Sequence, residues 1–299
     1  MSVLADAVFA LLLWPGLVGG AALAWLLLWI QRKLTARLQG RKGPPFYQPF
    51  FDFVKLLGKE TVQAGGIDRS LLFGLPLASL GAATAALALI PVPGNPMPPF
   101  AGDLVLVLYL LEMPALCEVL AGYSSRSLYG QVGASREAVL SLGYNLPFLA
   151  AVAALAIRAK SLTLRALAAA PMGPVHLAAA LALLLSLPAR LKRNPFSIPN
   201  AEQEIVAGPF TEFSGVPLAL FELAHGLELV AYLGLFITLF MQVGGATPGF
   251  YLIAGVALVA LLTILATATA RLTVHQAFRF YWRWGAAAAA AALVLAEIW

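Results

Sequence analysis

Residues 41–60 read Arg41-Lys-Gly-Pro-Pro-Phe-Tyr-Gln-Pro-Phe-Phe-Asp-Phe-Val-Lys-Leu-Leu-Gly-Lys-Glu60. This charged, aromatic, proline-punctuated stretch lies between two runs, Val8–Ile30 and Leu71–Ile90, each long and apolar enough to cross a bilayer. A loop this long and specific between two spans reads as an interface. It places the work of the protein at the cytoplasmic membrane surface, against a partner.

Outward from that loop the composition points the same way. Of 299 residues, 61% are hydrophobic and only 11% charged, with a mean hydropathy of +0.86, which excludes a soluble globular chain. Helices and closed barrels alone satisfy every backbone group in lipid. The Ala/Leu runs lack the alternation of barrel strands, so the expected fold is an all-α polytopic membrane protein in a single domain, 1–299. About eight transmembrane helices are expected: Val8–Ile30, Leu71–Ile90, Leu104–Gly122, Ala138–Ile157, Val175–Ala189, Val216–Val243, Tyr251–Ala270 and Trp284–Ile298. The first is too long for a signal-peptide core and has no basic leader, so it reads as a retained helix. The fifth is short and bracketed by Pro174 and Pro188.

Lys and Arg set the direction. With an outside N-terminus, the loops at about 31–70, 123–137, 189–215 and 271–283 carry sixteen basic residues, and the opposite loops carry three. Both termini are therefore expected outside. The net charge of +5 flanks apolar spans and argues for lipid contact rather than nucleic acid. A lone Cys117 and the lack of any Cys/His cluster at ligand spacing leave no metal or cofactor site in this chain. No phosphate loop, dinucleotide glycine pattern or Ser-His-Asp arrangement stands in a usable context, so no catalytic residue is expected. The Gly19-Gly20 and Gly244-Gly245 pairs read as close helix contacts or turns.

Within the first loop, Pro44, Pro45 and Pro49 stiffen the entry and Gln48 to Glu60 reads as a helix. Asp52, Lys55 and Lys59 share one side, and Phe50, Phe53, Val54 and Leu57 supply an apolar one. Two readings stand: an amphipathic helix lying in the headgroups, or a platform for a soluble subunit. In the third loop, Pro199-Asn200 begins a short acidic helix whose early carboxylates suit the helix dipole. Glu202, Glu204 and Glu212 there read either as a solvated acidic surface or as one side of a polar cavity.

Ionisable groups inside spans cost roughly 2.5 kcal/mol or more each, so five of them matter. Glu112 and Glu118 lie in the third span, and Glu222, His225 and Glu228 in the sixth, where about 100° per residue confines them to one sector. They read as a proton or ion path, with helix bracing as the alternative. Pro114, by lacking an N–H, frees a carbonyl beside Glu112 and Glu118.

Three separated motifs then match a known family. The Arg41–Glu60 stretch closely resembles the first cytoplasmic loop of the complex I subunit 1 family, known in bacteria as the H subunit. Pro195-Phe-Ser-Ile-Pro-Asn-Ala-Glu-Gln-Glu-Ile-Val-Ala-Gly208, with Thr211-Glu-Phe-Ser-Gly215, resembles the family's acidic third loop. Ala121-Gly-Tyr-Ser-Ser125, Tyr129-Gly130 and Gly133-Ala-Ser-Arg-Glu137 look like its link between spans three and four. Gly43-Pro-Pro-Phe-Tyr-Gln-Pro49 and Gly133–Glu137 are similar to the branch in membrane-bound, energy-converting [NiFe] hydrogenases and formate hydrogenlyases.

That resemblance implies a prokaryotic cytoplasmic (inner) membrane subunit, not catalytic by itself. Its implied partners are soluble hydrogenase large and small subunits, an iron–sulfur subunit and antiporter-like membrane subunits. Iron–sulfur clusters and the NiFe centre are expected in those partners, and a bound quinone is not expected. Junction or cavity residues are expected at Arg41, Asp52, Lys55, Lys59, Glu60, Arg136, Glu137, Glu202, Glu204 and Glu212. The chain departs from the family in having Ser197 where Asp is usual, Asn200 where Glu is usual, and Asn145 where many relatives carry a buried Glu. Asn releases no proton, so the family's carboxylate chain does not carry over intact. The alternatives are the quinone-site subunit of a complex I-like NADH or ferredoxin dehydrogenase, and an autonomous secondary transporter. Against the transporter stand the missing repeated halves.

Overall fold

The computed structural model describes residues 3–63, 67–241 and 247–298. The Gly244-Gly245 pair and the Val243 end of the expected sixth span lie outside them. The chain runs α1 (Val3–Leu12), α2 (Leu17–Leu38), α3 (Gln48–Leu57), α4 (Arg69–Leu89), α5 (Asp103–Ser124), α6 (Leu128–Ala159), α7 (Leu164–Ala169) and α8 (Pro174–Arg190). It continues through α9 (Glu202–Ile205), a 3-10 turn (Gly208–Phe210), α10 (Gly215–Phe240), α11 (Pro248–Ala268) and α12 (Val274–Phe280). A π-helical turn (Tyr281–Gly285) then leads to α13 (Ala286–Ile298). No strand occurs among the described residues. The protein is an all-helical, polytopic membrane protein.

Six helical stretches are long and apolar enough to cross a membrane: Leu4–Leu38, Arg69–Leu89, Asp103–Ser124, Leu128–Ala159, Gly215–Phe240 and Pro248–Ala268. The other two expected spans correspond to α8 and to the α12–α13 run. α8 keeps Pro174 in its first turn, where no N–H is needed, and passes through Pro188 to Arg190. At 1.5 Å per residue its 17 residues reach about 26 Å, short of a hydrocarbon core of about 30 Å.

Three boundaries differ from the sequence reading. The first span is not one straight helix. It breaks between α1 and α2 at Pro15, which has no N–H to continue the ladder, and at Gly16, where a Cβ would lie 2.0 Å from the Leu11 carbonyl oxygen. The surface helix stops at Leu57 with Gly58 as its cap, so Lys59 and Glu60 lie beyond it. The third-to-fourth connection is short, because α6 already begins at Leu128 and carries Arg136 and Glu137 as helical residues. Polar side chains close other helix ends: Asp68 accepts from Ser70 N at the start of α4, and Thr273 with Gln276 forms a capping box on α12.

α10 is the central column. It packs on α2, α4, α5, α8 and α11 and is buried almost throughout. α4 and α5 pair on one side, α6, α8 and α13 on the other, and α5 meets α6. Because α10 carries His225 and Glu228 at half-buried and buried positions, the centre of this bundle is charged. That arrangement positions the site.

Candidate functional site

One of the deeply buried charges is one that loop-based sequence reading treats as a surface cation. Arg190, the last residue of α8, is 2% exposed. Its Nη2 meets Glu112 Oε1 at 2.6 Å and donates to Asn145 Oδ1 at 2.7 Å, while its Nη1 donates to Tyr232 Oη at 2.5 Å. Asn145 Nδ2 donates in turn to Glu112 Oε2 at 2.7 Å, and Tyr232 Oη donates to the Leu111 carbonyl at 2.9 Å. The guanidinium lies 3.8 Å from the Phe148 ring centroid and 5.1 Å from those of Tyr144 and Tyr232, so its faces gain cation–π contact while its edges hydrogen-bond. Asn145 thus clamps an ion pair: its amide satisfies both members at once. The carbonyl used by Tyr232 adjoins that of Leu110, which Pro114 leaves open.

A second cluster surrounds Lys192. Its ammonium pairs with Glu118, and both side chains are almost completely buried. They share a polar cavity of about 70 Å³ with Ser79, Pro114, Asn200, Phe210, Phe221, Glu222, His225 and Glu228, room for several water molecules. Among the described residues, Glu118 Oε1 and Asn200 Oδ1 are buried without a hydrogen-bond partner. His225 Nδ1 lies 3.5 Å from Glu228 Oε2, one turn along α10.

Four of the five intramembrane groups singled out in the sequence, Glu118, Glu222, His225 and Glu228, therefore line one cavity. Glu112 instead joins the Arg190 clamp. Glu222 is exposed and Glu228 buried, so the cavity runs from the surface into the bundle. The Arg190 and Lys192 side chains were missed because they stand just past an apolar run. The available signal was that two intramembrane carboxylates on one span, Glu112 and Glu118, needed two cations nearby.

The junction candidates divide. Glu137 is 0% exposed, turned into the bundle from α6 rather than standing at a loop surface. Tyr144 Oη donates to its Oε1 at 2.9 Å, and Glu112 and Glu228 lie within electrostatic range. Its place one turn before Leu140 and two before Tyr144, both buried, turns it inward. Arg136 does reach the third loop, pairing with Glu204 at 2.6 Å. Glu202 is exposed and Glu212 half-buried, and neither lines the polar cavity. Arg271 ties the same loop to the α11–α12 link through Ser197 Oγ and Gln203 Oε1, each at 3.2 Å.

On the first loop, Asp52 accepts from Arg32 at 2.5 Å and from Gln48 at 2.8 Å. Partial burial would raise its carboxyl, but those hydrogen bonds and the Arg32 and Lys55 charges outweigh it and hold Asp52 below the usual carboxylate range. Arg41, Lys55, Lys59 and Glu60 are exposed. Among the described residues no His/Cys/Asp/Glu group could hold a metal ion.

A helical bundle with two buried ion pairs at its axis defines a multi-pass membrane protein built around charge. Comparison with known proteins gives its family. Residues 12–297 match the family model described as NADH dehydrogenase. The H subunit of NADH-quinone oxidoreductase from Dehalococcoides mccartyi strain CBDB1 is 30% identical over 282 residues, 86% of this chain and 77% of that protein. The second of the corresponding H subunits in Geobacter sulfurreducens is 34% identical over 239 residues, 73% of each. A chain in the structure of the membrane-bound sulfane sulfur reductase, an archaeal respiratory membrane complex, aligns with a TM-score of 0.88 at 29% identity, over 99% of this chain and 100% of its own length. The chain belongs to the NADH dehydrogenase family of complex I subunit 1, called the H subunit in bacteria.

Proposed function

We propose that this chain is the membrane-anchor and ion-coupling subunit of an energy-converting redox complex of the [NiFe] hydrogenase or formate hydrogenlyase type. It docks a soluble redox arm at the first and third loops, on the cytoplasmic side, and passes the consequence of electron transfer to ion movement in antiporter-like membrane partners. The iron–sulfur clusters and the NiFe centre belong to the soluble partners. The observation that carries the reading is the position of Lys192. It begins the third loop, yet its ammonium is buried against Glu118 in the cavity of Glu222, His225 and Glu228. A displacement of that loop by the docked arm moves a charge inside the bundle. Moving a buried cation away from one carboxylate leaves that carboxylate unpaired, which favours its protonation.

The sulfane sulfur reductase likeness, over the full length of that chain, supports a setting outside NADH-quinone reductases. The names of the NADH-quinone oxidoreductase relatives favour a second reading, a quinone-site subunit of a complex I-like dehydrogenase. The complex purified in mild detergent through this chain separates the two. Stoichiometric nickel with abundant iron supports the first reading, and iron with flavin or bound quinone supports the second. On the first reading, Glu228→Gln lowers ion pumping by the complex while dye-linked hydrogenase activity of the soluble arm persists. Normal pumping by both Glu222→Gln and Glu228→Gln removes the path assignment.

A further inference from the structure

The first loop leaves one apolar face uncovered. α3 packs Pro49, Phe53 and Leu56 inward and exposes Tyr47, Phe50, Phe51, Val54 and Leu57. These fall at helical i, i+3, i+4, i+7 spacing, a continuous stripe. Phe46, just before the helix, is 69% exposed. A stripe of this size in water marks a binding or membrane surface.

Its depth is fixed by its contacts with α2. The Trp25 ring centroid lies 5.0 Å from that of Phe50 and 5.8 Å from that of Phe53. Trp29 packs edge-on to Phe46 at 6.5 Å and donates from Nε1 to the Pro44 carbonyl at 3.2 Å, and Arg32 reaches Asp52. α3 therefore runs level with residues 25–32 of a spanning helix, the segment where its apolar run gives way to cations. At 1.5 Å per residue, that window covers about 10 Å of depth, the thickness of a headgroup boundary in which amphipathic helices lie.

Beside it stands an open groove of about 470 Å³ lined by Gln31, Arg32, Thr35, Ala36, Arg41, Lys42, Gly43 and Pro44. Between residues 31 and 51 the chain has five cations, Arg32, Lys33, Arg37, Arg41 and Lys42, and no carboxylate. Arg32 is engaged by Asp52, whereas Lys42 and Arg41, whose Nη2 donates to the neighbouring Gln39 Oε1, are exposed at the groove. The groove is thus a basic pocket at the headgroup level with an aromatic stripe beginning two residues beyond it.

We propose that this groove and the outward face of α3 bind an anionic phospholipid, with its phosphate between Arg41 and Lys42 and its acyl chains along Phe46, Tyr47, Phe51 and Val54. Charge complementarity selects the phosphate, and the depth set by Trp25 and Trp29 selects a lipid over a soluble protein for the stripe. Long basic side chains reach a phosphate from there while their stems cover apolar surface.

The test uses the whole complex and needs no turnover, so it is independent of the redox assignment above. The complex is exchanged into nanodiscs of phosphatidylcholine with or without phosphatidylglycerol, and retained lipid is identified by native mass spectrometry. Phosphatidylglycerol is expected to be retained in preference to phosphatidylcholine by the unaltered protein. Arg41→Ser with Lys42→Ser weakens that retention about thirtyfold, at about 1 kcal/mol per basic residue near an anionic surface. Lys160→Ser, far along the chain from the groove, leaves it unchanged. A photoreactive phenylalanine analogue in place of Phe51 crosslinks into lipid. Equal retention of the two lipids, retention undiminished in the double variant, or crosslinking from position 51 into a protein subunit each overturns the proposal.

Discussion

Replacing Arg190 with Met tests the central clamp. The substitution removes the cation but keeps a long, flexible side chain of similar reach. Breaking a buried ion pair from one side costs about 3–5 kcal/mol, because the partner is left uncompensated. Glu112 keeps 28% of its side-chain surface exposed and partly rehydrates, which places Arg190→Met near the lower end, about 3 kcal/mol. Since each 1.4 kcal/mol is about tenfold, the folded-to-unfolded ratio falls more than a hundredfold. Adding Glu112→Met removes the uncompensated carboxylate, and paired apolar replacement of buried ions is often neutral. The double variant does not return fully, because Asn145 then loses both of its amide partners, a residual of about 1–3 kcal/mol. The assay is SDS-driven unfolding of the purified chain in mixed micelles, followed by near-UV circular dichroism and assembled as a double-mutant cycle. The reasoning is refuted if Arg190→Met costs less than about 1 kcal/mol, the value of an exposed pair. It is equally refuted if Glu112→Met recovers none of the loss.

Two further expectations follow from contacts between the loops and the bundle. Gly133 on α6 lies so close to the 3-10 turn that a Cβ would sit 2.6 Å from Pro209 Cδ and 2.9 Å from Gly208 Cα. Gly133→Ala therefore displaces residues 208–210 at a cost of about 1–3 kcal/mol, read as faster amide exchange in 202–214 with α11 unaffected; unchanged exchange there contradicts the packing. The depressed Asp52 carboxyl stabilises the α3–α2 contact above its ordinary value of about 3.9, and that contribution disappears as pH falls through the lower folded value. Exchange of α3 amides should be level from neutral pH to about 4 after correction for intrinsic rates, and rise below that. Asp52→Asn should abolish the acid step, and a step that persists in that variant assigns it to another group.

Much of this protein was written into its linear pattern. Apolar runs of about twenty residues have few stable forms in lipid, so the helical fold and most of its spans follow from composition and length. The helical spacing of Glu222, His225 and Glu228 places them on one sector of α10 whatever surrounds it, and three loop motifs carry the family. Even the surface helix was legible from Gln48 onward, although its end at Leu57 was not. Helix ends are set by local capping and by what the chain meets next.

Pairing was decided only in three dimensions. Sequence order makes Arg190, Lys192 and Glu137 neighbours of loops, and nothing local distinguishes them from the exposed Arg41 or Lys55. Their burial follows from α8 ending inside the bundle, against α5 and α10, and from α6 beginning well before its apolar run. Burial in turn demands partners, because an uncompensated charge away from water is too costly to keep. Arg190 finds Glu112 and Asn145, and Lys192 finds Glu118, across tens of residues of chain, whereas Glu137 finds Tyr144 two turns along its own helix. The sequence by itself determined which groups are ionisable and on which helical face they lie; the tertiary structure decided which of them neutralise one another, since Coulomb energy depends on distance through space and on the dielectric that packing creates.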